Sequence, residues 1–155
     1  MLGGTIDDLD KGDVFKPVEY DLTPFICSEY AHSVEENCEW FHSNLAPGGR
    51  QMRPPTMIHM EKMRILEENC TRERRMHGEP APDARVHYEY HAVQHSVAYA
   101  GERLVISGKI VDKYVKRGRT FLWYYLETHT KDGRLVTTYN DLTLLRYKAV
   151  EGGKT

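Results

Sequence analysis

From Arg85 to Tyr147 the chain breaks into four strand-like segments rich in β-branched and aromatic residues, separated by two glycine turns and one loop. This pattern predicts a meander of long antiparallel strands. Lys116-Arg117-Gly118-Arg119 joins RLVISGKIVDKYV to TFLWYYLETHT, and Lys131-Asp132-Gly133-Arg134 joins that to LVTTYNDLTLLRY. Each turn sets Gly where a hairpin needs positive φ. Phe121, Trp123 and Tyr125 alternate with Leu122, Tyr124 and Leu126, so neither face of the sheet is wholly polar. One face should wrap a helix, and the aromatic one should meet a second sheet or subunit, which makes an oligomer the expectation.

Upstream, VFKPVEYDL supplies a short first strand, and Thr23-Pro24 reads as an N-cap followed by proline at the first helical position. Ile26, Tyr30 and Val34 recur at i+4 and predict one buried stripe. EENCEWFHSNLAPGGR, with Pro47 and Gly48-Gly49, reads as a loop. A second helix opens at Pro54-Pro55-Thr56 and carries Met57, Met60, Met63, Leu66 and Cys70 on one face, with Glu68 and Arg72 spaced to pair outside. His77-Gly78, Pro80 and Pro82 should stop it after about 20 residues, or about 30 Å. The predicted class is α+β: one long antiparallel sheet wrapped around one central helix. The expected organisation is an acidic lead at 1–12, a single domain at 13–148 and a tail at 149–155.

A chain of 155 residues suits one domain with a sizeable core. Lys and Arg number 21 against 23 Asp and Glu, so the net charge of -2 supplies no broad footprint for nucleic acid. Cys27, Cys38 and Cys70 form an odd set without a C-x-x-C pair, which argues against a disulfide framework and a zinc knuckle. The start, MLGGTIDDLDKGD, lacks an apolar leader, and no apolar run approaches the roughly 20 residues of a membrane span. A cytoplasmic protein that engages neither membrane nor nucleic acid is expected.

Four segments, in order, carry a resemblance: ENCEWFH, GGRQMRPPTM, HYEYHAVQHSVAYAGERL and GKIVDKYVKRGRTFLWYYLETHTKDGRLV. Together they resemble the hot-dog fold of the MaoC-like dehydratases, specifically the N-terminal, FAS1-like dehydratase half. The resemblance implies a pair of hot-dog units binding an acyl thioester, typically acyl-CoA, with the acyl chain beside the central helix. It implies hydration of a trans-2-enoyl thioester and no cofactor or metal. Catalytic members carry Asp, any residue, Asn, Pro, any residue, His. A carboxylate and an imidazole there activate water, while a backbone N–H at a helix start polarises the carbonyl.

On this chain the motif falls on Glu35, Asn37, Cys38 and Trp40. The indole of Trp40 cannot exchange a proton near neutral pH, and losing a positioned acid/base group costs about 100- to 10,000-fold. Glu35, Glu36, Asn37 and His42 stay as candidates if the register shifts, since Asn37 and His42 restore the five-residue offset. Trp40, Arg53, Pro54, Pro55, Thr56, Met57 and Met60 are the candidate substrate-binding residues, the N–H groups at the helix start suiting a thioester oxygen.

The expectation is a substrate-binding, non-catalytic subunit of a heteromeric enoyl-CoA hydratase whose hot-dog partner carries Asp and His. The alternatives are a self-sufficient homodimeric hydratase or thioesterase, and an acyl-ligand or metal-binding module without turnover. The metal alternative rests on His87, Glu89 and His91, which strand alternation puts on one face, with His95 beyond. Hydrogen bonding across a subunit boundary accounts for the same row. Lys113, Lys116, Arg117 and Arg119 surround the first hairpin, where they could meet CoA phosphates or simply form a solvated edge.

Overall fold

Five strands build one antiparallel sheet: β1 Val18–Asp21, β2 Ala84–Gln94, β3 Arg103–Lys116, β4 Arg119–Thr130 and β5 Leu135–Tyr147, in the order β1-β3-β4-β5-β2. Two helices, α1 Pro24–Ser33 and α2 Ile58–Asn69, lie between β1 and β2 in the chain. The computed structural model describes residues 4–71 and 84–147. The sheet curls around α2, so the chain is a single hot-dog domain. The core is the layer between them: Ile58 and Ile65 of α2 meet Tyr20, Ile106, Leu122, Leu126 and Tyr139. Leu9, inside the segment expected to be a lead, is 2% exposed and belongs to this core.

Both hairpins form where the glycines place them. Arg117 and Gly118 have φ of 53° and 72°, the two positive values that a two-residue type I′ turn requires. Gly133, at φ 96°, closes the second turn by donating its N–H to the Thr130 carbonyl at 2.9 Å.

The helices depart from expectation in extent and in face. The Thr23 hydroxyl caps α1 by accepting the Ile26 N–H at 3.1 Å, but Cys27 and Ala31 are the buried positions. Ile26 and Tyr30 are partly buried against the core, as the stripe expects, whereas Val34 lies past the last turn and is 50% exposed. The second helix is shorter than expected: Pro55–Met57 forms a 3-10 turn, α2 has 12 residues, and Cys70 is already extended. It spans about 18 Å. The stop signals at His77-Gly78, Pro80 and Pro82, Arg72 as partner of Glu68, and the tail at 149–155 all lie outside the described residues.

Its core face is Ile58, Glu61, Ile65, Leu66 and Asn69, whereas Met63 of the expected methionine stripe is 51% exposed and Met60 only half-buried. The reason is polar satisfaction. Asn69 exchanges bonds with the Lys16 backbone, accepting its N–H at 2.7 Å and donating to its carbonyl at 3.0 Å. Glu61 is satisfied more fully still. Both can therefore face inward.

Candidate functional site

The loop between α1 and α2 is anchored by Gln51, whose buried side-chain amide donates to the carbonyls of Pro24 at 3.0 Å and Phe41 at 2.6 Å. The Met52 N–H holds the Trp40 carbonyl at 2.8 Å. Trp40 stands in the 3-10 turn Glu39–Phe41 with its indole 44% exposed. Glu35 turns the chain at φ 57°, and Asn37 reaches its carbonyl at 3.4 Å. The Glu36 carboxylate accepts the Cys38 N–H at 2.8 Å, while His42 Nε2 donates to the Glu36 carbonyl at 2.8 Å. The His42 ring leans on that of His32, 4.5 Å away. Among the described residues no ion pair joins Glu35 or Glu36 to His42. The loop thus gathers carboxylates and an imidazole without pairing them.

At the start of α2, Pro54 and Pro55 have no N–H to offer, and the Met57 N–H is bonded to the Pro54 carbonyl at 3.1 Å. The turn is pinned from two sides, by Tyr30 donating to the Thr56 carbonyl at 2.7 Å and Gln94 to that of Pro55 at 3.0 Å. A hollow of about 240 Å³ opens beside it, lined by Met52, Pro55, Gln94 and His95 among others.

Arg53 lines that hollow as well, and its charge is held by an internal partner. Its guanidinium meets Glu61 as a fork, at 2.9 and 2.7 Å, with both side chains essentially fully buried. Tyr20 and Thr128 donate to the same carboxylate at 2.6 and 2.7 Å. Burial pushes the Glu61 carboxyl up, but Arg53 and these hydroxyls outweigh it and hold the group below its ordinary range.

A larger cavity, about 420 Å³, lies along the C-terminal half of α2, with Ile6, Met63 and Leu66 on an apolar side and Lys62, His87, Tyr124 and Thr143 on a polar one. Behind the polar side Asp141 is fully buried and accepts Lys62 at 2.8 Å, Tyr139 at 2.6 Å and Thr143 at 2.7 Å. Burial alone would raise its pKa; Lys62 and the two hydroxyls bring it below the ordinary value. His87 lies between the two charges, Nε2 at 3.3 Å from Asp141 and Nδ1 at 3.4 Å from the Lys62 ammonium. His59, 5.5 Å from the His87 ring, faces the Tyr139 hydroxyl at 3.3 Å. Burial lowers the pKa of both histidines, and Lys62 adds to the effect.

The expected row of His87, Glu89 and His91 is split. A bulge in the β2–β5 pairing falls between His87 and Glu89, so His87 faces α2 while Glu89 and His91 bond each other at 2.9 Å. They share an outer groove with Trp123 and Asn140. His95 bonds the Thr138 hydroxyl at 3.0 Å. Lys116, Arg117 and Arg119 sit exposed at the β3–β4 tip, at the end of the sheet toward which α2 runs, and Lys113 donates to the Asp7 carbonyl at 2.7 Å.

Sequence reasoning missed Lys62, His87 as a partner of Asp141, and Asp141 itself. The available signal was Tyr139-x-Asp141-x-Thr143, polar groups alternating on the helix-facing side of β5.

No family model and no curated protein matches the chain. Solved structures do. The chain is similar to the HadBC (3R)-hydroxyacyl-ACP dehydratase complex of Mycobacterium tuberculosis, with 16% identity over 86% of this chain and 96% of that one at a TM-score of 0.68. It is similar to R-hydratase PhaJ1 of Pseudomonas aeruginosa, at 8% identity, 96% and 93% coverage and a TM-score of 0.68. A MaoC-like dehydratase from Rhodospirillum rubrum matches at 12% identity, 94% and 99% coverage and a TM-score of 0.63. At these identities the likeness shows the fold, a hydratase-type hot-dog. No helix among the described residues is long and apolar enough to cross a membrane.

Proposed function

We propose that this chain is the substrate-binding, non-catalytic subunit of a heteromeric MaoC-type enoyl-CoA hydratase, receiving an acyl thioester beside α2 while a second hot-dog subunit supplies Asp and His. The carrying observation is the loop after α1: it presents an indole at Trp40 where proton transfer needs an imidazole, and the His42 ring is bonded to the Glu36 backbone carbonyl rather than to the carboxylate of Glu35 or Glu36. Two features support the binding role. The hollow at Met52 and Pro55 suits a thioester near the helix start, and the larger cavity along Met63 and Leu66 has a volume typical of small-molecule sites. HadBC is itself a complex, and this chain keeps β2 as a long edge strand on which a second sheet can pair.

The self-sufficient hydratase has one observation in its favour, since Asp141 and His87 meet at the wall of the larger cavity. Against it, both His87 nitrogens face other groups of the chain, which leaves none turned to a substrate. One experiment separates the readings: hydration of enoyl-CoA by the lone chain, by the chain co-expressed with a MaoC-like partner, and by His87→Asn in each setting. The subunit reading expects turnover only with the partner. Full activity of the lone chain, abolished by His87→Asn, would transfer the chemistry to this polypeptide.

A further inference from the structure

Along the β3–β4 ribbon the outer face of the sheet carries a pattern that thioester binding does not use. Alternate residues of a strand share a face, and the register sets them in cross-strand rows: Lys116 opposite Arg119 at the tip, then Tyr114 opposite Phe121, then Asp112 opposite Trp123. The first row is cationic and exposed. The second is aromatic: the Tyr114 ring stacks on Phe121 at 5.4 Å, and Tyr88, 61% exposed, meets the same ring edge-on at 5.3 Å. The third joins a carboxylate to an indole that is 39% exposed, and it continues through Leu142 to Glu89 along one groove of about 270 Å³. One oxygen of Asp112 accepts the Lys113 N–H at 3.0 Å and faces Lys11 at 3.4 Å; the other makes no hydrogen bond among the described residues.

We infer that this face docks on a second copy of the chain, the two outer faces stacked with their strands antiparallel. A two-fold axis lying across the strands over Tyr114 and Phe121 sets each strand above its own counterpart and exchanges the rows on either side. Lys116 of one protomer then meets Asp112 of its partner, and Arg119 lies on the Trp123 indole. Both contacts occur twice, because such an interface is isologous. The charged rows are four residues, or roughly 13 Å, apart along the strands, and stacked sheets sit about 10 Å from each other, a gap that Lys and Arg side chains cross. An axis along the strands would set Lys116 and Arg119 against themselves. The alternation also selects against a polyanion, since one drawn to the tip row would be repelled by Asp112 and Glu89. Tyr88 and Tyr114 supply an apolar centre to the patch. The overlap, about 13 Å along the strands and about 14 Å across four of them, is well under the roughly 800 Å² per partner of a standard interface. The dimer is therefore weak and salt-dependent, and it leaves the β2 edge open to a hot-dog subunit.

The test is sedimentation velocity of the full chain alone, from about 5 to about 500 µM, at low and at high salt. The unmutated chain should dimerise in the upper part of that range, and high salt should dissolve the dimer. One variant reverses the tip, Lys116→Glu with Arg119→Glu; the other reverses the groove, Asp112→Lys. Each alone sets like charges face to face, so its self-association should weaken by at least about ten-fold. Mixed together, the two variants should dimerise again, because the reversed tip of one meets the reversed groove of the other while the unmutated halves meet as before. Circular dichroism of both should match the unmutated chain, which separates lost docking from lost folding. A chain monomeric at every concentration, a dimer that neither variant weakens, or a mixture that stays monomeric overturns the inference. Charge reversal that expels a co-expressed MaoC-like subunit overturns it as well, by giving this face to that subunit.

Discussion

At the scale of single residues, the centre of the molecule is an ion pair that a hydrophobic core would ordinarily exclude. Arg53 and Glu61 are essentially fully buried, and the carboxylate accepts four hydrogen bonds, two from Arg53 and one each from Tyr20 and Thr128. A pair so placed joins β1, β4 and the start of α2 at one point. Removing one partner strands a charge, which costs about 3–5 kcal/mol, a large part of the roughly 5–15 kcal/mol that holds a domain. Arg53→Met should therefore lower the urea midpoint sharply. Adding Glu61→Gln to it should restore part of the loss, because the amide keeps an acceptor for one hydroxyl and leaves no charge unpaired. If the double variant unfolds as readily as the single one, the cost lies in Arg53 packing rather than in the stranded carboxylate.

At the scale of elements, what could be read in advance was what is locally encoded. Gly118 and Gly133 fix both hairpins because a tight turn needs positive φ within the turn itself. Thr23-Pro24 fixes the start of α1 by the same kind of local rule. The core face of α2 was not legible, since Glu61 and Asn69 turn inward only because Arg53, Tyr20, Thr128 and Lys16 meet them from elsewhere in the chain. The candidate site divides the same way. The loop residues Glu35 to His42 were legible as a segment, whereas the meeting of His87 with Asp141 depends on a bulge set by pairing with β5. That bulge also bears on assembly. β2 is bonded along one edge to β5, its register is irregular up to Glu89, and from Glu89 to Gln94 it is regular with Tyr90 and Val93 about half exposed. A regular, exposed edge invites a partner strand. Under the hot-dog pairing proposed above, replacing His91 and Val93 together by Lys should split the co-expressed complex into separate chains by light scattering while far-UV circular dichroism stays unchanged. An unaltered mass of that complex would move the proposed contact away from this edge, to the outer sheet face around Trp123.

At the scale of the whole molecule, Glu61, Asp141, His59 and His87 lie in the layer between α2 and the sheet, and their shifts act in one direction on stability. Glu61 and Asp141 have folded-state pKa values below the ordinary carboxylate range, so the stability they contribute is present above their unfolded values and is lost as pH falls through the folded ones. His59 and His87 are also depressed, because burial disfavours the imidazolium and Lys62 adds to it. For them the unfolded chain takes up protons first, from about pH 6.5 downward, while the folded chain resists, so stability declines from that pH through their folded values. The two sets add without opposing each other. The melting temperature should hold near neutral pH, begin to fall below about pH 6.5 as the histidines act, and fall again in the carboxylate range. Exchanging His59 and His87 together for Asn should remove the first decline and leave the second, since Asn neither protonates nor disturbs the Lys62–Asp141 pair. A first decline of unchanged size in that variant would show that groups other than His59 and His87 set the acid sensitivity of the molecule.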